Sequence, residues 1–250
     1  MKIVIIGGTG LIGSQVTNLL KNNHEVVAAS PNTGVNTLTG EGLDAALENA
    51  EVVIDVSNSP SFADDDVMNF FTTSTTNLLE AEKKAGVKHH IALSIVGTRK
   101  LSVNGYFKAK QAQEDLIEKS PVPYSIVHAT QFFEFAGGIA AGGTKGDEVF
   151  ISSSLVQPIA SSEVAAFLAK TATETPTMGI SEIAGPEKMP MSTWIENYLS
   201  AMKSPLQVFG QKEAPYFGAP LEYEALVPQK ATFESTIKYE DWIVNPQNQR

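Results

Sequence analysis

Residues Lys2-Ile3-Val4-Ile5-Ile6 run directly into Gly7-Gly8-Thr9-Gly10-Leu11-Ile12-Gly13, and this junction constrains the fold more than any other stretch. A short continuous run of β-branched residues suits a strand covered on both faces, since neither face meets water. Glycines then fall at 7, 10 and 13 in a G-x-x-G-x-x-G pattern. Gly7 permits a tight turn, Gly10 leaves bare backbone for a ligand, and Gly13 lets the next helix lie close to the strand. Strand, glycine turn and helix start, in that order, make the pattern specific. It predicts a dinucleotide whose diphosphate rests on the free N–H groups of the helix start, with Gly7, Thr9, Gly10, Leu11, Ile12 and Gly13 as contacts.

The same alternation continues. Segments 25–29, 51–56, 90–95 and 124–127 read as strands, and 42–47, 64–85 and 105–119 as helices. The long helix opens on Asp64-Asp65-Asp66, negative charge at its positive dipole end, and stops at Gly86. A third strand within the polar 30–37 segment would be very short. Strands alternating with helices imply right-handed βαβ units and an α/β, Rossmann-type doubly wound parallel sheet. With 250 residues, a nucleotide-binding domain over 1–150 and a smaller mixed α/β substrate-side lobe over 151–250 are expected. Gly137, Gly138, Gly142, Gly143 and Gly146 predict a mobile loop or lid.

Strand ends carry the remaining chemistry. After the second strand stand Ser30, Asn32 and Thr33, with neither a carboxylate to repel a 2′-phosphate nor an arginine to grip one. Hydroxyl and amide donors there point to NADP(H), with NAD(H) open. Ser57 and Asn58, after the 51–56 strand, are either cofactor contacts or parts of a plain Asn-Pro turn. Tyr106 and Lys110 share one face of the helix after the 90–95 strand. Ser94 ends that strand, at the sheet edge where open α/β folds bind ligands. The aromatic stretch Thr130-Gln131-Phe132-Phe133-Glu134-Phe135 either lines an apolar substrate pocket or packs as core.

These motifs resemble the short-chain dehydrogenase/reductase superfamily, in particular its atypical and extended branches of NmrA-like and epimerase-like proteins. The resemblance is carried by G-G-T-G-x-x-G at 7–13, by Thr75-Thr76-Asn77-Leu78-Leu79-Glu80-Ala81 and by Gly86-Val87-Lys88. Weaker echoes follow at Pro158-Ile159-Ala160-Ser161-Ser162-Glu163-Val164-Ala165 and Glu182-Ile183-Ala184-Gly185-Pro186-Glu187. It implies a catalytic Ser94, Tyr106 and Lys110. Lys110 would lower the Tyr106 pKa and bind the nicotinamide ribose, Tyr106 would exchange a proton with a carbonyl oxygen, and Ser94 would hydrogen-bond that oxygen. The implied activity is an NAD(P)-dependent oxidoreductase of the carbonyl reductase or alcohol dehydrogenase type, acting on a small organic molecule.

Two departures stand out: the family's G-D element after the third strand is missing, and Phe71 falls where many members carry a relay asparagine. Phe71 at that position implies an altered relay. A silent NmrA-like redox sensor is the alternative, although such sensors commonly lack the Tyr-Lys pair. A nucleotide-sugar epimerase or dehydratase fits less well with an Arg-poor C-terminal lobe, because sugar diphosphates are usually gripped by cations.

Composition closes other routes. Cysteine is absent, which removes disulfides, thiolate metal sites and a cysteine nucleophile. A net charge of −10 with only two arginines, Arg99 and Arg250, disfavours nucleic acid. No apolar run approaches the roughly 18 residues of a membrane span, and the opening run is too short for a signal peptide. His24, His89, His90 and His128 show no metal-ligand spacing. The expectation is a cytoplasmic protein with a small-molecule substrate and no metal, its oligomeric state open.

Overall fold

The computed structural model describes residues 1–101 and 104–248, so Arg250 lies outside the described residues. The chain divides into two compact units interleaved in sequence. The first takes Met1–Ser94, Gly105–His128 and Ser162–Ser181, and the second takes Ile95–Asn104, Ala129–Ser161 and the residues from Glu182 on.

The chain begins with β1 (Lys2–Ile6), α1 (Leu11–Leu20), β2 (Glu25–Ala29), α2 (Leu43–Leu47), β3 (Val52–Asp55), α3 (Asp64–Ala85), β4 (His89–Ile95), α4 (Gly105–Lys119) and β5 (Tyr124–Ala129). There follow α5 (Ala136–Gly143), β6 (Thr144–Lys145), β7 (Glu148–Ser152), β8 (Leu155–Val156), α6 (Ser161–Thr171) and β9 (Ile180–Ala184). The last elements are β10 (Met189–Pro190), α7 (Met191–Ala201), β11 (Gln207–Gln211), β12 (Phe233–Glu234) and α8 (Tyr239–Ile243). Seven strands form the Rossmann-type parallel sheet in the order β12-β9-β5-β4-β3-β1-β2. Ile5 of β1 stands opposite Ala28 of β2 and Ile54 of β3, both pairs parallel. Ile3 through Ile6 are buried, as their unbroken apolar run requires.

Between β2 and α2 no strand forms among the described residues. Thr33 Oγ1 accepts from the Ser30 N–H at 2.9 Å, closing a single helical turn at Pro31–Thr33 that ends on a left-handed Gly34. Asn77 of α3 then donates to the carbonyls of Thr37 and Leu38 at 2.8 and 3.1 Å, pinning this polar loop in place. A side chain within the resembling 75–81 motif therefore does structural work.

Helix α3 turns Val67, Phe71, Thr75, Leu78 and Glu82 inward at helical spacing. Its end matches expectation: Gly86 is left-handed, and its N–H reaches back to Glu82 and Lys83. Glu82 Oε1 meets His90 Nδ1 at 2.7 Å, both side chains fully enclosed. Burial holds Glu82 above the usual carboxylate range, against a downward pull from His90.

In the second unit, β7 pairs with β6 antiparallel and β11 parallel. Of the glycine cluster, Gly137, Gly138, Gly142 and Gly143 lie in α5 instead of a mobile lid, and Gly146 turns the chain between β6 and β7 at φ +64°. Two of the α5 glycines answer close packing: a Cβ at Gly137 would lie 2.7 Å from Tyr198 Oη, and one at Gly143 would lie 2.6 Å from the Phe150 carbonyl. The 158–165 and 182–187 motifs meet, with Gln157 donating to the Gly185 carbonyl at 2.7 Å. A side chain at Gly185 would overlap the Pro158 carbonyl. Phe133 packs into core against Tyr239 and Trp242, whereas Phe135 is exposed beside Phe132.

Removing Glu82 leaves a buried imidazole without its partner. Glu82→Ala is expected to cost about 3–5 kcal/mol in urea unfolding; a loss under 1 kcal/mol would show the pair to be dispensable.

Candidate active site

The site lies within the first unit and is built on the carboxyl ends of β1, β3 and β4. Gly7 has φ +79°, and a Cβ there would lie 2.9 Å from the backbone nitrogen of Ser57 just beyond β3. A Cβ at Gly13 would overlap the Gly7 carbonyl, so α1 starts against the turn only because that side chain is missing. Gly10 is exposed, with only the Gly7 carbonyl near its Cβ position, at 3.3 Å. No side chain caps α1, and no carboxylate sits in its first turn. The first N–H groups of this helix face outward at its positive dipole end. Such a cradle suits a diphosphate. Thr9 and Leu11 are exposed beside it, whereas the Ile12 side chain is buried and leaves only its backbone to a ligand.

At the end of β2, Thr33 Oγ1 donates to the carbonyls of Ala28 and Ser30, both at 3.0 Å, and Ser30 Oγ lies 3.5 Å from it. Asn32 is exposed. From Asn22 to Glu82 the chain has no lysine or arginine.

Asp55, at the end of β3, is buried and fully engaged. One oxygen accepts from the Ser57 N–H at 3.0 Å and from Ser57 Oγ at 2.6 Å; the other accepts from Gln113 Nε2 at 3.0 Å. Gln113 Oε1 in turn accepts from Lys110 Nζ, which also donates to the Leu93 carbonyl at 2.9 Å. The Phe71 ring covers the ammonium at 4.5 Å. Phe71 therefore does stand at the site, where it presents a ring and no polar group. Burial pulls the Lys110 ammonium down to about 8, partly offset by Asp55 and Glu114.

Tyr106 takes a different partner. Its hydroxyl donates to Asn58 Oδ1 at 2.8 Å, and its ring packs between Phe62 and an edge-on Phe71. Burial pushes the Tyr106 phenol up to about 12, against a downward pull from Asn58. This differs from the sequence expectation of a Lys110-depressed phenol. The lysine spends its charge on Leu93, Gln113 and Asp55.

Ser94 Oγ donates to Glu114 Oε1 at 2.5 Å, and His128 Nε2 meets the same oxygen at 2.9 Å. Burial alone would lift Glu114, but His128 and Ser94 outweigh it and hold the group below the usual carboxylate range. Ser94 thus commits its proton to a buried carboxylate instead of holding it for a substrate oxygen. Asp55, Gln113, Glu114 and His128 were not singled out from sequence. Their available signal was spacing: Gln113 and Glu114 stand three and four residues after Lys110, on the same helix face. Among the described residues, no group of three or more His, Asp or Glu could hold a metal, and no helix is long and apolar enough to cross a membrane.

A family model described as NAD(P)H-binding matches residues 7–175. The photosystem II assembly factor Ycf39 of Synechocystis sp. is 24% identical over 149 residues, 54% of this chain. The matched region is 46% of that protein, so the chain spans about half the length of this curated relative. A short-chain dehydrogenase/reductase superfamily protein from Agrobacterium tumefaciens, solved with bound NAD, shares the fold with a TM-score of 0.74 at 13% identity, covering 99% of this chain and 96% of that one. A dTDP-4-dehydrorhamnose reductase ortholog from Clostridium acetobutylicum gives 0.71 at 16% identity, covering 98% and 92%.

Because the folded chain holds Lys110 at about 8 against an ordinary 10.5, the unfolded chain binds more protons between those values, and folding strengthens as pH rises through that window. Wild type should gain stability relative to Lys110→Met between pH 8 and 10 in urea titrations. A difference that stays constant over that range would contradict the enclosed ammonium.

Proposed function

The chain belongs to the NAD(P)H-binding family, and we propose that it is an NAD(P)-dependent oxidoreductase of the short-chain type that reduces a carbonyl group on a small organic molecule. The observation that carries this reading is the Tyr106 hydroxyl, half-buried beside the glycine cradle's own sheet edge and already donating to an amide carbonyl, Asn58 Oδ1. A substrate carbonyl oxygen is the same kind of acceptor and would take Asn58's place.

Gly7, Thr9, Gly10, Leu11, Ile12 and Gly13 would cradle the diphosphate, Ser30 and Asn32 would face the adenine ribose, and Ser57 and Asn58 the nicotinamide side. The bound cofactor supplies the hydride. Tyr106, protonated throughout the neutral range, gives its proton to the oxygen as the carbonyl carbon is reduced, and recovers one from water. Lys110 and Ser94 act here as positioning residues. Lys110 ties α4 to the Leu93 carbonyl and, through Gln113, to Asp55; Ser94 ties β4 to the same helix through Glu114. A phenol that stays protonated favours reduction over oxidation at neutral pH.

NADP(H) is supported by the missing carboxylate after β2, and the missing cation limits that preference. NADPH and NADH should bind within about tenfold of each other, one decade being about 1.4 kcal/mol.

The test is cofactor titration followed by turnover on a carbonyl panel. Tyr106→Phe should bind cofactor as wild type does and lose on the order of 10²-fold or more in kcat. A Tyr106→Phe enzyme as active as wild type would overturn the assignment. Cofactor binding without turnover on any carbonyl would favour a silent dinucleotide sensor, a reading that the fully engaged Lys110 and Ser94 also support.

A further inference from the structure

We infer that the Tyr106 site takes a planar, uncharged aromatic carbonyl compound and rejects anionic sugar nucleotides, with Phe62 as the residue that selects the ring. This substrate class rests on the oxidoreductase reading of Tyr106 and deepens it.

Three observations on one rim converge. Phe62, in the loop between β3 and α3, is 60% exposed. Its ring lies 5.8 Å from that of Tyr106 at a tilt of 34°. An apolar ring left open to water beside a proton-donating hydroxyl is a surface on which a second ring gains both burial and offset stacking. The loop is held: Ser61 Oγ donates to Asp66 Oδ2 at 2.7 Å and accepts from the Ala63 N–H at 3.2 Å. The residues on either side of Phe62 are thus tied together.

The second observation is charge. Asp64, Asp65 and Asp66 begin two residues after Phe62, all exposed, in the first turn of α3. The third is their placement. The Asp64 carboxylate lies over Gly105, where a Cβ would fall 2.8 Å from Oδ2. Gly105 opens α4 and immediately precedes Tyr106. The positive end of α4, which would otherwise welcome an anion next to Tyr106, already holds a carboxylate. No cation compensates along this segment, since Asn22 to Glu82 contains no lysine or arginine. Lys108, two residues past Tyr106, projects from a different side of α4, and Lys110 is only 3% exposed. A diphosphate brought to this rim meets like charge, whereas a neutral ring meets Phe62.

Acetophenone and its saturated analogue, cyclohexyl methyl ketone, separate ring stacking from carbonyl chemistry. Each is measured two ways: kcat/KM with NADPH, and a dissociation constant by ligand-observed NMR on the full chain. Wild type should prefer acetophenone by about fivefold in both; Phe62→Ala should bring both ratios near one, and Phe62→Tyr should restore them. dTDP-4-dehydrorhamnose should be the poorer substrate, improving at high salt and in Asp64→Asn/Asp65→Asn.

Equal affinities for the two ketones in wild type, a preference unchanged in Phe62→Ala, or a sugar nucleotide as the better substrate would each overturn the inference. If neither ketone is reduced but NMR shows the Phe62-dependent preference, the oxidoreductase reading fails and the aromatic site stands.

Discussion

The buried carboxylate of Asp55 fixes the geometry of the site. It sits at the exit of β3 with both oxygens used, one by Ser57 and the other by Gln113. Ser57 is the residue against which Gly7 turns, and Gln113 is one turn along α4 from Lys110 and two from Tyr106. A single side chain thus couples the glycine cradle to the helix that carries the phenol. A carboxylate removed from water is tolerated only with full hydrogen bonding and a nearby opposite charge. Lys110 supplies that charge through Gln113, and its own enclosure depresses its pKa. Tyr106 gives its proton to Asn58, while Lys110 has a structural task at Leu93 and Gln113.

How much of this was legible depended on the range of the interaction. The Gly7-Gly10-Gly13 pattern was legible because it answers to strand, turn and helix within a dozen residues. The start of α3 at Asp64 and its stop at Gly86 were legible for the same reason, each being a local dipole or φ requirement. The 30–37 segment stayed open because the Ser30–Thr33 capping turn competes with strand pairing. Gly137 and Gly143 of α5 misled because their reason lies far off, at Tyr198 and Phe150. A glycine that admits a neighbour looks in sequence like one that bends.

The site shows the same limit. Tyr106 and Lys110 were legible as a same-face pair, but what each hydrogen atom is given to was not. Ser94 spends its proton on Glu114, twenty residues on, and Lys110 spends its donors on Leu93 and Gln113. Phe71 is placed by the Lys110 ammonium over its ring and by its edge contact with Tyr106. Polar partners on neighbouring elements leave no periodic trace, so their assignment needs the fold.

An oxidoreductase built from this cradle and this phenol must move a hydrogen from cofactor to substrate, and isotope labelling follows that hydrogen. The full-length chain is incubated with stereospecifically C4-deuterated NADPH, and separately NADH, plus a carbonyl substrate, and the product alcohol is analysed by mass spectrometry. Deuterium is expected on the carbinol carbon, delivered from one face of the cofactor. Stoichiometric cofactor binding with no deuterium leaving it, on every carbonyl offered, would contradict the oxidoreductase reading.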